Sequence, residues 1–447
     1  MERKIGLYIG LDSIDFCFDT KENYNKIADR YNEGYGNFGN KFFLSTEIGY
    51  LKDEIDFEHI IRYSDVRNDY FISDLTIEQV NERFRAIVLP QANIFNPEKR
   101  VLAQLKGFTS FIRLLKIPVF VIGVGLQARS YSELKYVCES IKDVAKDFCD
   151  AVYSSGGEFS LRGYVTKELF DMLGYSGAVV TGCPSLFRNG RNFEVSSEKK
   201  EEIDGFRPVM NGYSYCFLNR AYADNFYKYN AYFMDQDEFM GLLYGKEAKE
   251  KNIYSLLHKY TIKGIVAASR GRVCLLYDVS LWDAFLKKHL VNYCFGYRIH
   301  GNILSITNGI QSTVVAHDCR TYELADYFSI PYIGEKDIKH IDLYDLYMKC
   351  DYTVFNNKYK EKYDLFEQFM IEKGLLRTAL NIDRNIIGGQ EIGALDNVSM
   401  NDLSGLTQEI GVYQRSFAFI DGMLRKNKRM LKTICLKQKA DIYRYLH

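Results

Sequence analysis

The sequence predicts an α/β protein made of two parallel-sheet units joined by a polar linker. Three observations carry that prediction. From about residue 84, short apolar runs of strand length alternate with segments of helical periodicity. The charged stretch 188–207, with Ser196-Ser-Glu-Lys-Lys-Glu-Glu202 at its centre, then breaks the rhythm. The rhythm resumes across 209–316. Apolar strands without inside–outside alternation, separated by helices, are what a sheet covered on both faces requires.

In chain order, Ala86-Ile-Val-Leu89 reads as a buried strand stopped by Pro90, and 98–116 reads as a helix. Pro118-Val-Phe-Val-Ile122 is the next strand and ends in Gly123-Val-Gly125. A helix over 132–146, a strand at Ala151-Val-Tyr153, a helix over 163–173 and a strand at Ala178-Val-Val-Thr181 complete the first unit. In the second unit, strands are expected at 209–217, 231–234, 273–277, 293–296 and 312–316, and helices at 281–290, 302–307 and 321–328. The last hundred residues read as mainly helical, with a polar interruption at 387–401. The expected division is therefore 1–195, 205–345 and a helical extension over 346–447.

Composition narrows the function. The 447 residues are 47% hydrophobic and 26% charged, with 58 basic and 58 acidic side chains. Such a balance gives no general attraction to nucleic acid. Ten cysteines occur without a C-x-x-C pair, so no zinc or redox motif is present and reduced thiols in a cytoplasmic protein are expected. The start does not read as a signal peptide, no apolar run of about 18 residues occurs, and neither a leader nor a membrane span is expected. The segment 425–444 carries eight Lys or Arg and one acid, Asp441, with apolar residues interleaved. It reads as a solvated helix face or, more sharply, as a peripheral contact with the inner face of the membrane.

The chemistry concentrates in Phe295-Gly-Tyr-Arg-Ile-His-Gly-Asn302 and His317-Asp-Cys-Arg-Thr-Tyr-Glu-Leu324. Arg298 and His300 follow a short strand, and Gly301 opens a helix from Asn302. A helix start offers free N–H groups, and with a permanent cation and an imidazole it forms a site for a small polyanion. Ligands of open α/β sheets sit at the carboxyl ends of strands. Arg162 also follows a strand and supplies a second cation from the facing unit, and Arg320 is a third candidate. Asp318 reads either as a base or as the cap of the helix from Thr321. His317 reads as structural and Cys183 as a packed thiol. Gly123-Val-Gly-Leu-Gln-Ala128 matches G-x-G-x-x-A, but the acidic residue expected after the next strand is absent.

These residues resemble the polysaccharide pyruvyl transferase family. The likeness rests on G-x-R-I-H-G-N, then D-x-R-T-x-E-L and Ile330-Pro331, and it extends into the first half. There it rests on Gly36-Asn-Phe-Gly-Asn40, Gln91-Ala-Asn93, Pro118–Gly125, Leu161-Arg-Gly163 and Val180-Thr-Gly-Cys-Pro-Ser185. It spans about 34–335. Gln311 departs from a common Pro, and Gly163 departs from an acid that often follows the Arg.

The resemblance implies a GT-B-like fold, with two Rossmann-like domains around a cleft. It also implies transfer of the enolpyruvyl unit of phosphoenolpyruvate to a sugar of a cell-surface polysaccharide or its precursor, giving a pyruvate ketal. The alternative activity is a nucleotide-sugar glycosyltransferase of the same fold. The expected catalytic residues are His300 and Asp318. The expected substrate-binding residues are Arg298, Gly301, Asn302, Arg162, Arg320, Asn37 and Asn40, the last two on a loop that holds acceptor or simply turns. Donor binding falls to the second unit and acceptor binding to the first. No metal or cofactor beyond the donor is expected, and the acceptor is a saccharide or lipid-linked glycan.

Overall fold

A computed structural model describes residues 3–10, 38–56, 58–59, 61–63, 75–200, 202–236, 261, 263–264, 267, 272–275 and 279–379. Asn37, the polar stretch 387–401 and the basic segment 425–444 lie outside the described residues.

The first unit contains β1 (Lys4–Gly10), β2 (Ile61–Tyr63), β3 (Phe84–Pro90), β4 (Val119–Val124), β5 (Phe159–Leu161) and β6 (Val179–Val180). They form one parallel sheet in the order β2-β1-β3-β4-β5-β6. Between them run α1 (Phe38–Leu51), α2 (Ile77–Arg83), α3 (Lys99–Ile112), α4 (Tyr131–Ser154) and α5 (Tyr164–Leu173). All of β4 is buried, as a central strand covered on both faces must be.

The second unit contains β7 (Pro208–Asn211), β8 (Tyr232–Asp235), β9 (Val273–Leu275), β10 (Tyr293–Gly296), β11 (Gln311–Ala316) and β12 (Tyr332–Gly334). Its helices are α6 (Arg220–Lys228), α7 (Val279–Lys288), α8 (Ile299–Thr307) and α9 (Cys319–Phe328). The parallel order β12-β11-β10-β7-β8-β9, read from its far edge, is the 3-2-1-4-5-6 of a dinucleotide-binding sheet. The order reverses between β7 and β10, and a crevice is expected at their carboxyl ends. Asn211, Gly296 and Arg298 stand there. Two Rossmann-like α/β units are thus present, as the sequence predicts.

The halves meet along α8 and α9. Helix α8 packs on α1 and on the short turn Pro184–Phe187, and α9 packs on α5. Tyr327 donates to the Val180 carbonyl at 3.0 Å, and Arg188 pairs with Asp283, 3.3 Å from Nη1 to Oδ1. After α10 (Leu343–Lys349), helix α11 (Thr353–Glu372) returns to the first half. There Phe366 stacks on Phe187 at 5.3 Å and lies 5.5 Å from Tyr50. Arg191 and Lys373 add ion pairs to Asp364 and Glu158 at 2.6 Å each. Among the described residues, no helix is long and apolar enough to cross a membrane.

Four sequence expectations shift. Ala151–Tyr153 is not a strand but the last turn of α4. Leu134, Val137, Cys138, Ile141, Ala145, Phe148 and Val152 keep one helical face buried to the end, where Gly156 at φ +83° follows. The strand of that region is β5, further on. Residues 209–217 form strand only to Asn211 and then the turn Ser214–Leu218. Helix α8 starts at Ile299 with Arg298 as its N-cap residue, so His300 and Gly301 lie inside the first turn. Strands β1, β2 and β12 are not among the expected strands; β2 and β12 have only three residues each, and β1 is interrupted by Gly6 and ends at Gly10.

Candidate active site

Arg162 stands at the carboxyl end of β5, next to Gly163, the N-cap of α5. A Cβ on Gly163 would lie 2.8 Å from Glu323 Oε2, so only glycine lets α9 come this close. Glu323 accepts from the Thr166 amide at 3.0 Å and from its hydroxyl at 3.0 and 3.1 Å. A carboxylate from the second half thus caps a helix of the first. Burial pushes the Glu323 carboxyl up to about 7, against the lowering pull of the Thr166 amide and Arg162.

Arg162 itself is fully buried. Its guanidinium lies over Phe43 at 5.6 Å. Nη1 is 3.3 Å from the Asn93 amide oxygen, whereas Nε and Nη2 have no hydrogen-bond partner among the described residues. In the reverse orientation of that amide, its oxygen instead takes Arg320 Nη1 at 2.7 Å. Asn93 thus stands between two guanidiniums, one from each half. Buried donors without acceptors are costly, and their persistence is the ordinary mark of a ligand site.

His300, in the first turn of α8, faces the same place. Its Nε2 is 3.9 Å from Cys183 Sγ, and its ring is 6.3 Å from Phe43. Burial, then the charges of Arg162 and Arg320, hold its pKa well below the usual value, so the imidazole is neutral.

Asp318 is the N-cap of α9, accepting from Thr321 N at 2.8 Å and Oγ1 at 2.9 Å. Its second oxygen meets Arg320 Nη2 at 3.2 Å and His317 Nε2 at 3.8 Å. Burial alone would raise its pKa, but Arg320, His317 and the Thr321 donors hold it below the ordinary value. Asp318→Ala should cost about 1–2 kcal/mol of stability in urea denaturation, while Asp318→Asn keeps the cap and costs under about 1 kcal/mol. Equal losses for the two would show that the cap does not matter.

The model of the polysaccharide pyruvyl transferase family matches residues 37–318, more than half of the chain. The chain belongs to that family. It is an enzyme of the transferase class. Among curated proteins, none matches. Solved structures with some likeness include S. aureus MnaA with UDP (TM-score 0.44, 11% identity, 85% of this chain and 99% of that one). Another is a putative UDP-N-acetylglucosamine 2-epimerase from Listeria monocytogenes (TM-score 0.41, 9% identity, 86% and 99%).

In this pyruvyl transferase family member, the expected site residues divide. Arg162, His300, Arg320 and Asp318 form one cluster where the halves meet. Arg298 turns elsewhere. Its amide donates to Asn211 Oδ1 at 2.7 Å, and its guanidinium covers the Tyr213 ring at 3.9 Å. Tyr213 is stacked on Tyr215 at 5.0 Å and flanked by His317 at 6.0 Å. Gly301 is a packing position, since a Cβ there would lie 2.7 Å from Gln236 Nε2 and 3.1 Å from Asn211 Nδ2. Asn302 is committed internally. It donates to the carbonyls of Gly296 and Arg298 at 3.1 and 2.9 Å and accepts from Ser312 at 2.8 Å, which ties β10, α8 and β11 together. Asn40 lies on α1. Among the described residues, no group of three or more His, Cys, Asp or Glu is placed to hold a metal ion.

One residue was missed. Glu47 of α1 is buried with both carboxyl oxygens unpartnered, and burial raises its pKa well above normal despite the nearby Arg162. The available signal was its apolar setting, with Phe42, Phe43, Leu44, Ile48, Tyr50 and Leu51 around it in the sequence.

Proposed function

We propose that the chain transfers the enolpyruvyl unit of phosphoenolpyruvate to two hydroxyls of a saccharide, forming a pyruvate ketal and releasing phosphate. The observation that carries this reading is Arg162, a fully buried cation with two unpartnered donors, beside Arg320 and a neutral His300. A donor with a carboxylate and a phosphate supplies the acceptors that these groups lack.

On this reading the methylene carbon takes a proton and C2 becomes oxocarbenium-like. One sugar hydroxyl attacks C2 and loses its proton. The C2–O bond to phosphate breaks, and the second hydroxyl closes the ketal. Two protons leave the hydroxyls; one is balanced by the new methyl group and the other by hydrogen phosphate. A neutral His300 accepts a hydroxyl proton and passes it to the departing phosphate. Glu47, whose pKa burial raises, is a candidate proton source for the methylene carbon. Asp318 acts through Arg320, which it orients. Arg298, on the Tyr213–Tyr215 wall, belongs to the acceptor side, because aromatic faces suit sugar rings.

A thermal-shift comparison tests the donor. Phosphoenolpyruvate at 100 times its Kd should stabilise the protein by about 3 kcal/mol, and uridine or guanosine diphosphosugars should not. The opposite pattern would replace the reading with glycosyl transfer.

A further inference from the structure

The second sheet has a recessed cavity of about 710 Å³ at its other edge. Pro208, Tyr232 and Val291 line it, so it opens at the amino ends of β7, β8 and β10. The crevice with Asn211 and Arg298 lies at the carboxyl ends of the same strands. A four-residue strand separates the two by about 13 Å.

Arg207, Lys228, Arg272 and His289 face this cavity, against one carboxylate, Asp204. Lys228 is neutralised by Asp342 at 2.6 Å. Among the described residues, no carboxylate forms an ion pair with either arginine. Arg207 uses Nη1 on backbone carbonyls, 3.0 Å from that of Phe206, and its Nε and Nη2 take no acceptor among the described residues. Arg272 lies over the Tyr232 ring at 4.6 Å, and its guanidinium donates to no described residue. Arg207 precedes β7 and Arg272 precedes β9, on either side of Tyr232 in β8. Both arginines line the cavity, Arg272 over Tyr232 and Arg207 beside the turn that precedes β7. His289 closes the wall, 4.7 Å from Tyr232; burial, with Lys288 and Arg272, keeps it neutral and able to donate one N–H.

Two guanidiniums lining one cavity, one of them over an aromatic ring, match a phosphate group attached to a less polar body. We propose that this cavity is a second binding site, for the phosphate or diphosphate of a small soluble molecule, separate from the cluster around Arg162. It rests on Arg207, Arg272, Tyr232 and His289 alone and stands whether or not phosphoenolpyruvate is the donor.

Inorganic pyrophosphate, titrated calorimetrically into the full chain and into Arg162→Met, is the probe. Binding should persist in Arg162→Met. It should weaken at least about tenfold in Arg207→Ala/Arg272→Ala, whose folding is checked by circular dichroism. Arg272→Lys, which keeps the charge but loses the fork, should give an intermediate loss and serves if the double variant does not fold. Absence of pyrophosphate binding to Arg162→Met at millimolar concentration would overturn the proposal. So would unchanged affinity in the cavity variants.

Discussion

Arg162→Met should lower kcat/KM for phosphoenolpyruvate by about 10²–10³-fold while leaving the protein as stable as before or slightly more so. Two hydrogen bonds from a guanidinium to a charged acceptor contribute about 1.5–3 kcal/mol each. Their loss corresponds to two or more decades in rate. Stability should move the other way. Arg162 is a fully buried cation whose Nε and Nη2 have no acceptor among the described residues, with only the charges of Glu323 and Glu47 to offset it. A poorly paired buried charge costs several kcal/mol, and methionine fills similar space without it. Improved folding with failed turnover is the signature of a strained functional group. Urea denaturation and steady-state kinetics on the same preparation measure both. A variant that unfolds easily and, where folded, turns over normally would make Arg162 a structural residue.

The second large effect lies at Glu323. Its folded pKa of about 7 stands above the ordinary 4.5, so the folded state holds a proton that the unfolded chain releases. The sign follows directly. This contribution to stability is fully present below about pH 4.5 and is lost as pH rises through about 7. The shift corresponds to about 3 kcal/mol. Glu323→Gln keeps an acceptor for the Thr166 amide and hydroxyl but does not titrate. It should match the parent protein near pH 5 and exceed its stability near pH 8, as read by urea midpoints at the two values. Parallel pH profiles for parent and variant would show that Glu323 does not titrate in this range. Because Glu323 joins α9 to α5, the same proton tunes how firmly the two halves meet.

The parallel strands of both units were legible because burial on both faces leaves uninterrupted apolar runs such as Val119–Val124. Arg298 and His300 were legible as a pair because both follow β10. Their divergence was not, because it depends on helical phase and neighbours distant in sequence. One residue faces Tyr213 and the other faces Cys183 and Phe43. Gly301 suggested a helix start, whereas it is tolerated within α8 because Asn211 and Gln236 press against it. The buried acids were the hardest to see. Glu323 looks like an ordinary helix glutamate until Thr166, 157 positions away, is brought beside it. Glu47 looks solvated until its neighbours on α1, Phe43, Leu44, Ile48 and Leu51, are found buried with it.

The central claim is that the cluster of Arg162, His300 and Arg320 serves pyruvyl transfer from phosphoenolpyruvate. Proton NMR of an incubation with phosphoenolpyruvate and a panel of saccharides tests it most directly. A new methyl singlet of a ketal should appear in step with stoichiometric phosphate release, and Arg162→Met should abolish both. Phosphate release without a ketal methyl, or a ketal formed equally well by Arg162→Met, would contradict the account.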